Sequence, residues 1–109
     1  MSELVNRIEA IIPIYPSEAP DNARTPYAVY EVSESPIRTK EGIAGYEGTL
    51  TVIVFASSMS IANAISRKVI EAIDSTVLDG TKFYYSSCNG NGYSDIGVSS
   101  NELTFNTLR

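Results

Sequence analysis

Apolar and polar positions alternate most regularly between Tyr46 and Ala56. From Leu50 onward the even-numbered positions form one apolar row, while the odd-numbered positions carry threonine, isoleucine and phenylalanine. A period of two predicts a β-strand, and β-branched and aromatic side chains suit a pleated, largely buried surface. The uninterrupted apolar run that begins at Val52 favours a central position in the sheet. We therefore expect the other elements to pair with this strand or to pack on it.

The period changes after Ala56 and predicts one long helix. Ser57, Ser58 and Ser60 are candidate N-caps, because a hydroxyl side chain can accept a hydrogen bond from a free amide of the first turn. Between residues 61 and 75 the apolar residues recur at spacings of three and four, which predicts a stripe facing the sheet: Ile61, Ala64, Ile65, Val69, Ala72 and Ile73. The alternative is an interaction helix that presents this stripe to a partner protein. We favour the first interpretation because the preceding strand needs a cover.

The N-terminal part of the chain predicts a helix, a connector and a strand. Residues Ser2 to Ile12 form a short amphipathic pattern, which Pro13 ends. The prolines at 13, 16, 20 and 26 predict an extended connector over the surface. Alternation from Tyr27 to Ser33 predicts a strand, and we expect Pro36 to end it.

The segment from Ile37 to Gly45 is predicted to be a long connection within a β-hairpin. With the regular central strand beginning near Gly48, the connection has about a dozen residues, and connections of this length tend to be functional or mobile. Two of its apolar residues, Ile37 and Ile43, have no obvious place in the core of a monomer. This segment is therefore a candidate contact surface.

The C-terminal part predicts two more strands. Asp79 and Gly80 mark a turn, Thr81 to Cys88 alternates as a strand, and Asn89 to Gly92 has strong turn chemistry. The last strand is predicted from Glu102 to Leu108. The sequence thus predicts one α+β domain over residues 1–109, in the order helix, strand, strand, helix, strand, strand. We expect a mostly antiparallel four-stranded sheet with the helices packed on one face and a long β-hairpin.

Composition and charge restrict the function. The chain has 109 residues, 43% of them hydrophobic and 19% charged, which fits one globular domain. No apolar run approaches the roughly 20 residues of a membrane helix, and no signal peptide is visible, so we expect a cytoplasmic product with no membrane partner. The net charge of −5 argues against binding nucleic acid directly. Cys88 is the only cysteine, which excludes an intrachain disulfide and predicts a buried free thiol.

The candidate chemical groups do not form a recognisable site. Histidine is absent, which removes the commonest general base and metal ligand. The Asn89 to Gly92 stretch lacks the lysine and the glycine spacing of a phosphate loop. Two carboxylate pairs, Glu31 with Glu34 and Glu41 with Glu47, are expected on a solvated face. The aspartates at 74, 79 and 95 do not follow the spacing of a calcium loop. We therefore expect no cofactor, no bound metal and no enzymatic activity.

The candidate contact residues are basic, apolar or aromatic. Arg38 and Lys40 form the basic cluster of the predicted connection, where they serve either solubility or contact with an acidic neighbour in a ring of copies. Seven tyrosines against three phenylalanines are unusual, and tyrosine is enriched in interfaces. The subunit-interface candidates are Tyr30, Ile37, Arg38, Lys40, Ile43, Tyr46 and Tyr84.

Several segments together resemble one protein family. They are Ile14 to Pro20, Thr25 to Glu31, the glycine-bearing hairpin Lys40 to Gly48, the strand end Val52 to Ala56, and the helix Ile61 to Ile73. Over residues 8–75 this set resembles the tail completion, or tail terminator and head-tail joining, family of minor tail proteins of tailed phages.

The resemblance implies a virion or prophage structural protein. Members assemble as a homo-oligomeric ring, often a hexamer, at the end of the tail tube, where they stop polymerisation and meet the head connector. The implied partners are tail-tube and head-connector proteins, without sequence-specific nucleic acid, and the implied location is the virion tail, with the host cytoplasm during assembly. In that family the long hairpin contacts other subunits or faces the channel, which corresponds to Ile37 to Gly45 here. The alternative from another class is a small cytoplasmic module that binds a peptide or ligand between sheet and helix.

Overall fold

One curled six-stranded sheet, shaped like half of a barrel, carries both helices. The computed structural model describes residues 2–93 and 97–109. In chain order the elements are α1 Ser2–Glu9, β1 Ile14–Pro16, β2 Tyr27–Thr39, β3 Gly42–Ala56, α2 Met59–Ile73, β4 Thr76–Leu78, β5 Thr81–Tyr93 and β6 Val98–Leu108. The strand order is β1-β2-β3-β6-β5-β4, in which β1 runs parallel to β2 and all other neighbours are antiparallel.

The prediction of a central strand is confirmed by β3. It pairs with β2 on one side and with β6 on the other. The even-numbered residues from Leu50 to Ala56 have no exposed surface, and they define the core face of the sheet. The odd-numbered residues from Thr49 to Phe55 are partly buried and lie on what we call the outer face. The two-residue period therefore separated the faces correctly.

The predicted four-stranded, mostly antiparallel sheet is wrong, because the sheet has six strands and is mixed. β1 lies inside the predicted connector and pairs in parallel with β2, with Ile14 opposite Ala28. β4 directly follows α2 and pairs with the start of β5. Each of these strands has three residues, which is too few positions for a period of two to be recognised.

The predicted long connection from Ile37 to Gly45 is also wrong. β2 continues past Pro36, which lies opposite Tyr46, and the two strands are linked only by Lys40 and Glu41. A proline is tolerated there because, among the described residues, β1 covers β2 only at its beginning, so this part of β2 is a sheet edge. The sequence pattern misplaced the end of the strand because it treated proline as a terminator.

The predicted turn at Asn89 to Gly92 is wrong, because these residues belong to β5. Asn89 pairs with Glu102, and Gly90 pairs with Asn101. A Cβ atom at Gly90 would lie 2.9 Å from the side-chain oxygen of Asn101, so this glycine serves a close approach between strands. The predicted turn at Asp79 and Gly80 is confirmed, since both residues have positive φ angles, 54° and 77°, between β4 and β5.

Helix α2 covers the core face, but its buried stripe is rotated from the predicted one. The cap is confirmed at Ser58, whose Oγ accepts a hydrogen bond of 3.3 Å from the amide of Ile61. Ile61 and Ala64 are exposed, whereas the buried residues of the helix are Ala62, Ser66, Val69 and Ile73. The stripe is rotated because the polar Ser66 faces the sheet, where Asn101 donates a hydrogen bond of 3.0 Å to its hydroxyl. No helix of the described chain has the length and apolar character needed to cross a membrane.

Helix α1 is held on the body through the β4–β5 turn. The amides of Glu3 and Leu4 donate to the Asp79 carboxylate at 3.1 and 3.4 Å, and the Asp79 amide donates to the Glu3 carboxylate at 3.0 Å. Desolvation acts to raise the pKa of Asp79, but the bonds from these two amides contribute to a net lowering below the usual 3.8. With α1 fixed, Leu4, Ile8 and the nearby Ile12 enter the same core as Leu50 and α2.

Candidate assembly surface

The distal ends of β2 and β3 form a two-stranded arm. β6 pairs with β3 only as far as Glu47. Beyond that pair, the backbone of Arg109 forms two hydrogen bonds with the backbone of Tyr46, of 2.8 and 2.9 Å. Residues 37–45, which we call the hairpin arm, continue without a third strand among the described residues. The arm makes an elongated molecule, with extents of 54 × 25 × 23 Å. Two-stranded ribbons are marginally stable alone, so the base of the arm must be well held.

The base of the arm is held by a small cluster of side chains. Arg109 Nε donates to the Glu34 carboxylate at 2.7 Å, and the guanidinium carbon lies 4.3 Å from the centre of the Tyr46 ring. The hydrogen bond to Glu34 raises the pKa of Arg109 further above its usual value. Glu34 therefore pairs with a cation rather than with a second carboxylate. Sequence reasoning missed this role of Arg109, because it depends on the pairing of β3 with β6.

Two glycines allow close backbone approach at this base. A Cβ atom on Gly48 would lie 1.8 Å from the carbonyl oxygen of Ser33 in β2. A Cβ atom on Gly45 would lie 2.7 Å from the carbonyl oxygen of Arg109. Real Cβ atoms do not come within 3.0 Å of other heavy atoms, so neither site accepts a side chain without backbone movement. The glycines thus fix how the arm leaves the sheet.

The tip of the arm presents apolar and basic groups together. Arg38 lies opposite Ile43, so both side chains leave the ribbon on one face. Ile43 is 50% exposed, and Lys40 is exposed in the turn beside Glu41. A bulge between Ile37 and Arg38 changes the register just before the tip. The base and tip together hold five of the predicted contact residues, which are Ile37, Arg38, Lys40, Ile43 and Tyr46.

The other two predicted contact residues lie elsewhere. Tyr30 is partly buried against the core and lies opposite Val52. Tyr84 is 38% exposed on β5, and the Lys82 ammonium lies 5.2 Å from the centre of its ring. The structure therefore does not bring these tyrosines to the arm.

The outer face carries a groove with an apolar floor, at the end of the sheet remote from the arm. Its floor consists of Tyr27, Val29, Ile53 and Phe55, and its wall is the segment from Ser17 to Ala23. The rings of Tyr27 and Phe55 stack with their centres 5.0 Å apart. This outer-face groove has a volume of about 420 Å³. Sequence reasoning missed it, although apolar residues at odd positions of β3 were a sign that the outer face is partly apolar.

Acidic side chains border the outer-face groove. Glu18 and Asp21 belong to its wall, and both are exposed. A smaller hollow of about 90 Å³ adjoins it and shares Ser17, Val29 and Ile53 with the groove. Glu31 lines this hollow. The groove therefore combines an apolar floor with a negative border.

A third depression lies between α2 and the sheet, and three of its polar side chains are hydrogen-bonded to one another. Its volume is about 420 Å³. The side-chain nitrogen Nδ2 of the buried Asn101 donates to the side-chain oxygen of Asn63 at 2.9 Å and to the Ser66 hydroxyl at 3.0 Å. Cys88 lines this depression and is exposed, so the prediction of a buried thiol is wrong. Partial desolvation raises the pKa of Cys88, which lowers the thiolate population that a nucleophile requires.

The described residues contain no group of three or more His, Cys, Asp or Glu side chains that could hold a metal ion. Asp95, one of the aspartates considered for calcium, lies outside those residues. The hairpin arm and the outer-face groove each combine exposure, apolar surface and charge.

Comparison with known proteins identifies the fold. No protein-family model matches the sequence, and no curated protein matches it. A chain of the solved "Virion of native gene transfer agent (GTA) particle" superposes with a TM-score of 0.71 and 13% sequence identity, over 99% of this chain and 84% of that chain. At that identity the likeness concerns the fold. The chain therefore has a fold similar to that of a chain in a gene transfer agent virion.

Proposed function

We propose that this protein is a structural protein of a phage or prophage virion, which forms a ring at the end of the tail tube and joins the tube to the head connector. The observation that carries the proposal is the fold, which nearly the whole chain shares with a chain of a phage-like virion particle. The finer role, tail termination, follows from the resemblance over residues 8–75 described above. The protein then acts in the virion tail and assembles with other virion proteins.

The hairpin arm supports assembly from identical copies. A free ribbon that exposes half of Ile43 is stabilised when another copy covers it, because burial removes apolar surface from water. The net charge of −5 gives a ring of copies a negative field, which repels passing DNA and opposes its adhesion. A hexamer is the expected ring, with tail-tube and head-connector proteins as its neighbours.

The proposal is tested by the assembly state of the full chain with and without the arm. In the shortened variant, residues 37–45 are replaced by Asn-Gly, so that Pro36 and Tyr46 flank a two-residue turn and the rest of the sheet keeps its register. Light scattering over a wide concentration range and negative-stain microscopy should show rings of the wild type, alone or on added tail tubes. The shortened variant should remain monomeric in light scattering and folded in circular dichroism. A wild type that stays monomeric and ignores tail tubes would refute the proposal.

A binding module is the second candidate, and the outer-face groove is the observation that favours it. A groove of about 420 Å³ with an apolar floor is large enough for part of a peptide or a small molecule. Its negative border would favour a basic peptide. Saturable binding of such peptides to a wild type that forms no rings would support this alternative. For either function we propose that the chain is not an enzyme, since it has no histidine and its cysteine has a raised pKa.

A further inference from the structure

We propose that the outer-face groove of one copy receives the tip of the hairpin arm of a neighbouring copy. This inference rests on the proposed ring and names the two surfaces that close it. The occupant is thus a second copy of this chain, through Ile43, Arg38 and Lys40.

The positions of the two surfaces require different copies. β2 begins at Tyr27 in the floor of the groove and ends at Thr39 at the tip. At a rise of about 3.3 Å per residue, these ends are roughly 40 Å apart along the strand. A tip cannot reach the groove of its own copy, because the strand that separates them is part of a paired sheet. Any contact between the two surfaces therefore joins different copies, and when it repeats head-to-tail it produces a ring if the rotation closes.

The chemistry of the two surfaces is complementary. Ile43 offers a half-exposed branched side chain to a floor of aliphatic and aromatic groups. Arg38 leaves the arm on the same face as Ile43, so it would meet the border while Ile43 enters the groove. That border carries Glu18 and Asp21, and the adjoining hollow carries Glu31. Arg38 and Lys40 outnumber Glu41 at the tip, so a tip of net positive charge faces acidic groups around the apolar floor, which favours this partner over a second groove or a second tip.

The head-to-tail arrangement gives a test by mixing two variants. Ile43→Asp removes the tip and leaves the groove, whereas Ala19→Arg fills the groove wall with a long cation and leaves the tip. Each variant alone should associate at least tenfold more weakly than the wild type, because each lacks one half of every contact. An equimolar mixture should form dimers and no larger species, since one working tip meets one working groove. Val77→Asp is the matched control, because Val77 is 61% exposed on β4, away from both surfaces, and should associate like the wild type.

Cross-linking reports the same contact directly. In a Cys88→Ser background, a chain with Ile43→Cys is mixed with a chain with Ala19→Cys under mild oxidation. A disulfide-linked dimer should form, whereas Val77→Cys with Ala19→Cys should give none. Absence of the first cross-link overturns the inference, whatever the assembly state.

The two proposals fail in different ways. If the wild type forms rings, while both variants form them equally well and no cross-link appears, the groove is not the acceptor and the ring proposal stands. If the wild type forms no rings, even on tail tubes, the ring proposal fails, and the cross-link still decides whether tip and groove meet.

Discussion

Replacement of Gly48 by alanine tests how closely the two strands of the hairpin approach at the base of the arm. The added Cβ would lie 1.8 Å from the Ser33 carbonyl oxygen and 2.8 Å from the Glu34 Cα. Because acceptable contacts begin near 3.0 Å, β2 and β3 must separate locally by more than an ångström. A separation of this size takes hydrogen bonds of about 2.9 Å out of range.

The expected cost follows from those changes. Two ladder hydrogen bonds contribute a net of about 1 kcal/mol each, and the crowding adds about 1–3 kcal/mol. We expect Gly48→Ala to lower the free energy of unfolding by about 3–5 kcal/mol, which corresponds to a fall in Tm of roughly 10–20 °C for a domain of this size. Against a typical total of about 5–15 kcal/mol, this loss is large.

The assay is urea and thermal unfolding followed by circular dichroism, with two comparison variants. Thr49→Ala removes a side chain from the next position without adding an atom, so it should cost under about 1 kcal/mol. Gly45→Ala places a Cβ 2.7 Å from the Arg109 carbonyl oxygen, a smaller overlap, and should lie between the other two. A Gly48→Ala protein as stable as Thr49→Ala would show that the strands do not approach as described, and the reasoning would be wrong.

Three further predictions concern buried and capping groups. Asn101→Ala should cost about 2–3 kcal/mol in urea unfolding, because Ser66 loses its donor and a cavity forms; a smaller loss in a Ser66→Ala background would confirm that they act together. Asp79→Asn should lower the free energy of unfolding at pH 7, because the charged Asp79 carboxylate stabilises the fold. Since the pKa of this carboxyl is lowered in the folded state, the difference between the two proteins should disappear as the pH falls below 3.8 and through the lowered pKa. A difference that is unchanged at pH 2 would contradict this explanation. Thr107→Val should raise stability by about 1 kcal/mol, because the buried Thr107 hydroxyl has no hydrogen-bond partner among the described residues; a loss in thermal unfolding would reveal a partner.

The sequence could predict the elements whose evidence is local. β3 was predictable because its alternation extends over many residues, and each residue of its apolar row is fully buried. Ser58 was one of three candidate caps, since the capping hydroxyl acts on an amide three residues away. Asp79 and Gly80 were predictable because a tight turn with positive φ angles limits the residue types that can occupy it.

The features that the sequence did not predict depend on contacts between residues that are distant in the sequence. Gly90 looked like a turn residue, but it is a glycine because the Asn101 side chain approaches from the neighbouring strand. The stripe of α2 is rotated because Ser66 bonds to the same asparagine, a pairing that helical periodicity cannot show. The two candidate surfaces differ in the same way, because the contact residues at the tip of the arm could be predicted from the sequence. The groove could not, because its floor combines β2 and β3 with the segment from Ser17 to Ala23.

The place of β6 in the sheet has a consequence for synthesis. β6 is translated after every other described strand, yet it lies between β3 and β5. Until residues 98–108 leave the ribosome, the apolar β3 has an unpaired edge and the two halves of the sheet cannot join. The complete sheet therefore forms only once β6 has been made, and a stop codon within β6 should give insoluble protein instead of a smaller stable domain.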